Sequence, residues 1–553
     1  MKEGTVIVAH RVQYFAVQVE SSARVAVDVR RMPGIKRLAA DYIYAFGALA
    51  PFFSGDPTEK SSWAAAIART QAHPRRLAEF AAVIQAQQQR RGAPGAAMAA
   101  GAKLADPRAV AVVTGQQAGL FGGPVYTILK ALTAIKLAEQ VTREHGVTAV
   151  PVFWIEAEDH DWDEIRSCTV LDAEMAPRTV ALPARPAGDP VPVSAITVDE
   201  PQIAPVLAEL EQILPPTEFR DALLADLRSA YAPGVGMADA FGRVLERVLG
   251  DRGLVVYDAS DPAAKPLVGD LFARELSAPG QTAKLAAAAG AELTARGYHA
   301  QVQSSDLDGV SLFRLDIASR TRRPIQQPAD FVREAAEKPA GFSPGVLLRP
   351  VVQDTVLPTV CYVAGPNELA YLGQLRHVYE RFGLPMPLMY SRATATILDS
   401  AAMRFLSKYD VPFLSLQSQD DSALNALLKT QIPPEVDDAL TAAGRAIEEQ
   451  MSRVIDAVPA LDPTLEGAAK NTLSRMQHDL ENLHGKTIQA AKRRNDTLRR
   501  QFQRTRALAF PSGDAQERTI AFVWFLNQYG QAFVERLWQE LPLDMGTHWV
   551  VTI

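Results

Sequence analysis

The chain has 553 residues, of which 48% are hydrophobic, and a formal net charge of −6. It is long enough to bury large cores in roughly two to four domains, and its charge gives no general case for a nucleic-acid partner. Nine histidines and two cysteines (Cys168 and Cys361) exclude a cysteine-rich zinc module and a disulfide framework, which predicts a cytoplasmic setting. No apolar run reaches the roughly 18 to 20 residues of a membrane span, so no membrane partner is expected.

Residues 1–31 are interpreted as a leader outside the domains. Their apolar pieces, TVIVAH and YFAVQV, are interrupted by charged residues, and they lack a signal-peptide apolar region with a small-residue cleavage site. Met32, which opens MPGIKRLAADYIYAF, is a candidate biological start. The catalytic core is therefore expected from residue 32 onward.

The next part of the chain alternates helical and strand patterns. Residues 36–100 are predicted to be helical, with a loop or frayed helix end over QQRRGAPGAAMAAGA (88–102). Such alternation predicts an α/β core with a parallel, doubly wound sheet over residues 32–430, with insertions at about 175–250 and 285–345. The predicted core elements are a strand at 109–113, a helix at 126–140 and strands at 149–155, 254–259 and 357–365.

The pattern of apolar and charged residues changes beyond Pro433–Pro434. Residues suited to a helix interface recur there at alternating spacings of three and four, which predicts an antiparallel hairpin or coiled coil over residues 431–508. The predicted seam is formed by Leu473, Met476, Leu480, Leu483, Thr487 and Ala490. Between residues 470 and 508, ten lysines and arginines face three acidic residues, which is typical of a solvated helix face or of an anion site. Residues 509–553 are predicted to be a helical segment that packs back on the core.

The loop TGQQAGLFGGPVYT (114–127) joins a predicted strand to a predicted helix. Its four glycines and the helix start suit an anion, because backbone N–H groups there point toward one place. The pattern is neither GxGxxG nor GxxxxGK[ST], and no lysine stands where a phosphate loop has one. An ordinary glycine-rich turn between strand and helix is the alternative.

The stretch WIEAEDHDWDEI (154–165) follows a predicted strand and places six carboxylates around His160. A histidine beside carboxylates can act as a general base, because they raise its pKa. An acidic cap on the next helix and a divalent-metal site remain as alternatives.

Three further stretches are candidate binding segments. Arg349 lies in SPGVLLRPVVQDTVLPT (343–359), a segment predicted to be extended, where it is either a structural ion pair or a carboxylate clamp. Gly365–Pro366–Asn367 forms a predicted strand-to-helix turn. Ser391–Arg392 follows another short apolar strand.

Five stretches together resemble the bacillithiol synthase family, the cysteine-adding enzymes of bacillithiol biosynthesis. The resemblance implies a Rossmann-type core related to nucleotidylyltransferases and class I aminoacyl-tRNA synthetases, and a coiled coil that makes a homodimer. The implied reaction is that of a ligase, joining the carboxyl group of L-cysteine to the amine of glucosaminyl-malate. The matching stretches are DYIYAFGALAPFF (41–53), VTGQQAGLFGGPVYT (113–127), VPVFWIEAEDHDWDEI (150–165), SPGVLLRPVVQDTVLPTVCYVAGPNELAYLGQL (343–375) and FPSGDAQER (510–518).

One position departs from the related synthetases. They carry a histidine signature in the first loop, where this chain has Gln116 and Gln117. Their adenylation chemistry therefore does not transfer directly to this chain. An amide still needs an activating cosubstrate, and ATP is a possible one. No tightly bound cofactor or metal is expected.

The resemblance also suggests roles for the candidate residues. Asp159, His160 and Asp161 would receive the amine and remove its proton, and Arg349 and Arg392 would bind the malate carboxylates. Gly365 and Asn367 would close the pocket, and Lys492, Arg493 and Arg494 would bind a nucleotide or be solvated. The residues expected to hold an anionic substrate group are Gln116, Gln117, Gly119, Phe121, Gly122, Gly123, Tyr126 and Thr127.

Two other classes of function stay open at this point. One is an adenylating enzyme or nucleotidyltransferase that acts on another small carboxylate. The other is a non-enzymatic coiled-coil scaffold, which the concentration of titratable groups at predicted strand ends disfavours. A metal-dependent hydrolase is a further, weaker alternative.

Overall fold

The structure is a computed structural model, and it describes residues 24–185, 191–301, 309–316, 321–431, 434–494 and 496–553. The side chains of residues 491–494 lie outside this described part, as do residues 1–23 of the predicted leader. Among the described residues, no helix is both long and apolar enough to cross a membrane.

The described strands form four sheets, of five, three, three and two strands. They are β1 (Arg24–Asp28), β2 (Val110–Gln117), β3 (Ala149–Glu156), β4 (Ser167–Leu171), β5 (Pro177–Ala181), β6 (Val255–Asp258), β7 (Leu312–Asp316), β8 (Thr321–Pro324), β9 (Phe342–Pro344), β10 (Thr359–Ala364), β11 (Leu388–Ser391), β12 (Thr394–Leu398) and β13 (Thr547–Thr552).

Helices cover both faces of the largest sheet and form the C-terminal part. They are α1 (Arg37–Tyr44), α2 (Lys60–Ala72), α3 (Leu77–Arg91), α4 (Gly95–Lys103), α5 (Val125–His145), α6 (Trp162–Ile165), α7 (Glu200–Ile213), α8 (Arg220–Ala230), α9 (Met237–Leu249), α10 (Gly269–Leu276), α11 (Gln281–Ala295), α12 (Val332–Glu337), α13 (Arg349–Val356), α14 (Leu369–Leu372), α15 (Arg376–Phe382), α16 (Ser400–Tyr409), α17 (Ser422–Lys429), α18 (Pro434–Ala457), α19 (Leu465–Arg494), α20 (Asp496–Ala509), α21 (Gln516–Thr519), α22 (Phe522–Tyr529) and α23 (Ala532–Glu540).

The five-stranded sheet is parallel throughout and runs in the order β11-β10-β2-β3-β6. In chain order, these strands read 5-4-1-2-3, so the direction of winding reverses between β2 and β10. In open α/β sheets, ligands bind at such a switch point, outside the carboxyl ends of the strands. The parallel sheet predicted from the sequence is confirmed, and its topology indicates where to look for a site.

Both faces of this sheet are buried, which explains why its strands are nearly continuous apolar runs. On one face, Phe153 packs against Phe241 of α9, with ring centroids 5.8 Å apart. On the other face, Phe80 of α3 packs edge-on against Tyr257 of β6 at 4.8 Å. Helix α9, which sequence analysis assigned to an insertion, is therefore part of the layer that covers the sheet.

A small sheet joins the two ends of the described chain. Strand β13 lies between β1, which is antiparallel to it, and β12, which is parallel to it. Residues 24–28 of the predicted leader are thus part of the fold. The final segment is also not wholly helical as predicted, since it ends in β13, and Gly530 separates α22 from α23.

Helices α18 and α19 form the predicted hairpin. His484 near the end of α19 lies 3.3 Å from Asp437 near the start of α18, which shows that the helices are antiparallel. Several apolar side chains of this hairpin face solvent, including Val454 (42% exposed), Met476 (42%), Leu483 (52%) and Leu461 (86%) at the connection.

Two local predictions were wrong. Residues 88–91 continue α3, and residues 95–103 form α4, because only Gly92–Pro94 interrupts an otherwise alanine-rich helical sequence. Arg349 begins α13 rather than lying in an extended segment, since Pro350 is in the first turn, where a helix tolerates proline.

Candidate functional site

The carboxyl ends of β2, β3 and β10 bring together side chains from distant parts of the sequence. Strand β2 continues to Gln117, so Gln116 and Gln117 end the strand beside Ile155 and Glu156 of β3. On the other side of β2, strand β10 ends at Ala364 and is followed by the turn Gly365–Asn367. The two neighbours therefore present their terminal residues at the switch point of the sheet.

Two adjacent cavities open at this place. The first cavity has a volume of about 300 Å³, and the predicted residues in its wall are Gln116, Gln117, Gly119, Gly123, Tyr126 and Thr127. The second cavity has a volume of about 240 Å³, and the predicted residues in its wall are Gln116, Tyr126, Gly365, Asn367 and Arg392. Gln116, Tyr126, Glu164 and Arg518 line both cavities, so we treat them as one candidate site.

The glycine-rich loop shapes this site differently from the expected cradle of backbone N–H groups. Four N–H groups of the loop already donate within the protein: Gly119 to Gln117 O, Phe121 to Tyr231 Oη, Gly122 to Gly119 O and Gly123 to Leu120 O. At the helix start, Val125 N donates to Ile520 O and Thr127 N donates to Pro124 O. These six N–H groups are therefore not free to bind an anion.

Phe121 and Gly122 belong to the packing of the loop rather than to the cavity walls. The Phe121 side chain is buried against Tyr231, with ring centroids 5.2 Å apart. Gly122 has φ +89°, and a Cβ atom there would lie 2.3 Å from the ring of Phe522. The glycine is required by a left-handed turn and by close contact with the C-terminal segment.

Lys130 of α5 is the main cation that sequence analysis missed. Its side chain is 2% exposed, and Nζ donates to Gly115 O at 2.8 Å, to Gln116 Oε1 at 3.1 Å and to the carboxylate of Glu368. Burial lowers the pKa of Lys130, whereas Glu368 opposes that shift. A lysine among the apolar residues at the start of the helix, YTILKALT (126–133), is the signal that could have identified it.

Arg392 and Arg518 supply two more cations, from separate segments. Their guanidinium carbons lie 5.6 Å and 5.9 Å from the centroid of the Tyr126 ring. Burial raises the pKa of Tyr126 to about 12, and Glu164 adds to the shift, so the phenol stays protonated at neutral pH. Both positive groups are thus near one aromatic ring, whose hydroxyl accepts from Gln116 Nε2 at 3.1 Å.

Four polar atoms around the cavities are buried and have no hydrogen-bond partner among the described residues. They are Gln117 Oε1 and Thr127 Oγ1 at the first cavity, and Asn367 Oδ1 and Arg392 Nε at the second. An unpaired buried polar atom is costly, and native structures usually satisfy it with water or a ligand. This pattern is typical of a site that binds a polar molecule.

The predicted catalytic cluster lies beside the cavities, and none of its three residues lines either of them. Asp159 accepts a hydrogen bond from Gln117 Nε2 at 3.0 Å, which connects it to the first cavity. His160 Nδ1 lies 3.1 Å from Arg322 Nη1 of β8, a group that sequence analysis missed. Asp161 caps α6 by accepting from Glu164 N at 3.2 Å, in keeping with the capping alternative.

Arg349 lies behind the second cavity. Its guanidinium donates to Gln353 Oε1 at 3.2 Å and to Tyr371 Oη at 3.3 Å, and lies 4.0 Å from Glu156. Tyr371 itself lines the second cavity. Arg349 therefore contacts a residue of the cavity wall but does not line the cavity itself.

A metal site, a cysteine nucleophile and the basic end of α19 are the remaining candidates from the sequence. In the described part of the chain, no group of three or more His, Cys, Asp or Glu side chains is arranged to hold a metal ion. Cys168 lines the first cavity, but burial raises the pKa of its thiol to about 12, so it is not a thiolate at neutral pH. Lys492, Arg493 and Arg494 end α19, and their side chains lie outside the described residues.

Comparison with known proteins gives the same family along nearly the whole chain. Residues 25–393 match the family model described as "Bacillithiol biosynthesis BshC, N-terminal Rossmann-like domain". Residues 395–553 match the model described as "Bacillithiol biosynthesis BshC, C-terminal coiled-coil domain". The family resemblance inferred from the sequence motifs is confirmed.

Several relatives carry the name "Putative cysteine ligase BshC". A protein of Salinibacter ruber is 33% identical over 533 residues, which cover 93% of this chain and 96% of the relative. A protein of Koribacter versatilis is 32% identical, with 92% of this chain and 96% of the relative covered. A protein of Symbiobacterium thermophilum is 31% identical, with 94% and 99% covered.

Proposed function

The chain belongs to the bacillithiol biosynthesis BshC family, and we propose that it is a ligase that joins the carboxyl group of L-cysteine to the amine of glucosaminyl-malate, forming bacillithiol. The observation that carries this proposal is the paired cavity at the switch point, which has charged groups of both signs in its wall. Both substrates combine an amine with carboxylate groups, so a wall of mixed charge suits them.

Two arginines of the site are suited to bind the malate carboxylates. Arg392 and Arg518 both line the second cavity, and guanidinium groups bind carboxylates with good geometry. The Lys130 ammonium lines the same cavity but already has three acceptors, so its main effect is a fixed positive charge. We assign Arg392 and Arg518, rather than Arg349, to the malate group.

Glu164 is the carboxylate best suited to receive the glucosamine amine. It lines both cavities, and burial together with neighbouring Asp161 and Asp159 raises its pKa, which makes it a better proton acceptor. His160, in contrast, lines neither cavity. Only a neutral amine can attack an acyl carbon, so we assign its deprotonation to Glu164.

Amide formation from a free carboxylate needs an activated acyl group, for which we propose ATP as cosubstrate. The Rossmann-like core, which we propose to be nucleotidylyltransferase-like, supports adenylation of the cysteine carboxylate with release of pyrophosphate. Displacement of AMP by the amine would then complete the amide. Phosphorylation of the same carboxylate would give ADP and phosphate instead, and the nucleotide product distinguishes the two routes.

Mass spectrometry of a complete reaction tests the function directly. Purified protein is mixed with isotopically labelled cysteine and glucosaminyl-malate, with and without ATP, and product and nucleotide are measured. We expect labelled bacillithiol only with ATP, together with AMP. Labelled cysteine on another acceptor, or adenylation of another acid, would favour the alternative adenylating enzyme. The absence of any covalent product from folded protein would contradict the ligase proposal.

The base assignment predicts unequal effects of two substitutions. Glu164→Gln should lower turnover by about 10² to 10⁴, because it removes the proton acceptor while preserving the shape of the side chain. His160→Asn serves as the matched variant and should keep near-normal turnover. The opposite result, with His160→Asn inactive and Glu164→Gln active, would return the base role to His160 and Asp159.

We also propose that the α18–α19 hairpin forms a homodimer. Its exposed Val454, Met476 and Leu483 are apolar side chains that a second hairpin would bury. Sedimentation of the full chain should give a dimer, and Met476→Glu combined with Leu483→Glu should shift it to monomer. A monomeric wild-type protein at micromolar concentration would contradict this assembly.

A further inference from the structure

Of three consecutive residues of the C-terminal domain, Gln516–Arg518, the last lines both cavities, and Glu517 pairs with the cavity residue Arg392. The Gln516 amide binds both the N–H and the carbonyl of Ile397 in β12, each at 2.8 Å, and also the carbonyl of Leu508 at 2.7 Å. These bonds fix α21 against the strand that follows Arg392. The next two side chains, Glu517 and Arg518, are thereby held at a defined place beside the cavities.

Glu517 forms a buried ion pair with Arg392. Arg392 Nη2 donates to Glu517 Oε1 at 2.7 Å, and the two side chains are 2% and 7% exposed. The second carboxylate oxygen accepts from Ala395 N at 2.9 Å. Burial acts to raise the pKa of Glu517, but Arg392 outweighs it and holds the pKa below its usual value, so the carboxylate is ionised at neutral pH.

The remaining bonds of Arg392 determine which donor is left for a ligand. Nη1 donates to Ala393 O at 2.8 Å, so both terminal nitrogens already bind the protein. Nε is buried without a hydrogen-bond partner among the described residues, and Arg392 lines the second cavity. A guanidinium held at both ends in this way directs its Nε–H in a fixed direction, because the group is planar.

The electrostatics of the site also require a carboxylate at this position. Arg392 and Lys130 are both buried and lie close together, so the positive charge of Arg392 acts to lower the pKa of Lys130. Lys130 is compensated by Glu368, and Arg392 by Glu517. A buried guanidinium without its partner would be strongly unfavourable and would be expected to move toward water, away from its present position.

We propose that Glu517 is a positioning residue for a carboxylate subsite that the C-terminal domain completes. It fixes the guanidinium of Arg392, whose Nε–H receives a ligand carboxylate, while the adjacent Arg518 supplies a second cation. The inference rests on the proposed function, in that the carboxylates are those of the malate group. It goes beyond that function by making the C-terminal domain part of acceptor recognition.

Calorimetric binding of glucosaminyl-malate to the full-length protein tests this role without depending on turnover. Glu517→Gln removes the charge but keeps an oxygen that can accept from Ala395 N. Its Kd should rise by about tenfold or more, because the carboxylate subsite loses its fixed arginine. Glu540→Gln is the matched control, since Glu540 pairs with Arg536 at 3.1 Å outside the site, and its Kd should be unchanged.

A double-mutant cycle separates positioning from a general structural effect. In an Arg392→Gln background, Glu517→Gln should cause no further loss of binding, because its partner is already absent. An equal loss in both backgrounds would overturn the positioning role. Thermal unfolding of each variant establishes that it is folded. If Glu517→Gln does not fold, Glu517→Asp replaces it and is expected to bind glucosaminyl-malate more weakly than wild type.

The outcomes for the two proposals differ. If wild type binds glucosaminyl-malate and Glu517→Gln binds it equally well, the positioning inference is wrong while the proposed function stands. If wild type does not bind glucosaminyl-malate under saturating conditions, both the acceptor assignment and the inference are overturned.

Discussion

The buried ammonium group of Lys130 holds together the backbone segments on which the candidate site depends. It binds the carbonyl of Gly115 and the side chain of Gln116 at the end of β2, and it pairs with Glu368 after β10. A buried charge is tolerated only when its protons find acceptors, so these three contacts constrain one another. The two strands that flank the switch point are thereby fixed at the place where winding reverses.

The C-terminal domain covers the same place from outside the sheet. Phe522 packs against Gly122 of the loop, and Arg518 lines both cavities. Strand β13 pairs with β12, which follows Arg392, and also with β1 near the beginning of the described chain, which connects the domain to the core. The segment after the coiled-coil hairpin therefore contributes Arg518 to the cavity walls as well as elements to the fold.

The sequence predicted the elements whose signal is local. Apolar β-branched runs identified β2, β3, β6 and β10, and turn residues after two of them identified Gln116 and Gly365 at the site. Long-range contacts were not predictable in this way, because no spacing indicates that Lys130 meets Glu368, that Arg322 meets His160 or that Glu517 meets Arg392. The packing of the glycine loop was not predictable for a related reason: glycines serve amide cradles and tight turns alike, and the contacts of Tyr231 and Phe522 with the loop are visible only in the structure.

Hydrogen–deuterium exchange with and without saturating glucosaminyl-malate measures whether the acceptor binds between the β2 loop and α21, as we propose. The account predicts slower exchange in residues 116–127, 365–372 and 516–519, where ligand contacts would restrict local opening. Exchange along α18 and α19 should be unchanged at constant dimer content. Protection confined to that hairpin, with none at the switch point, would contradict the account.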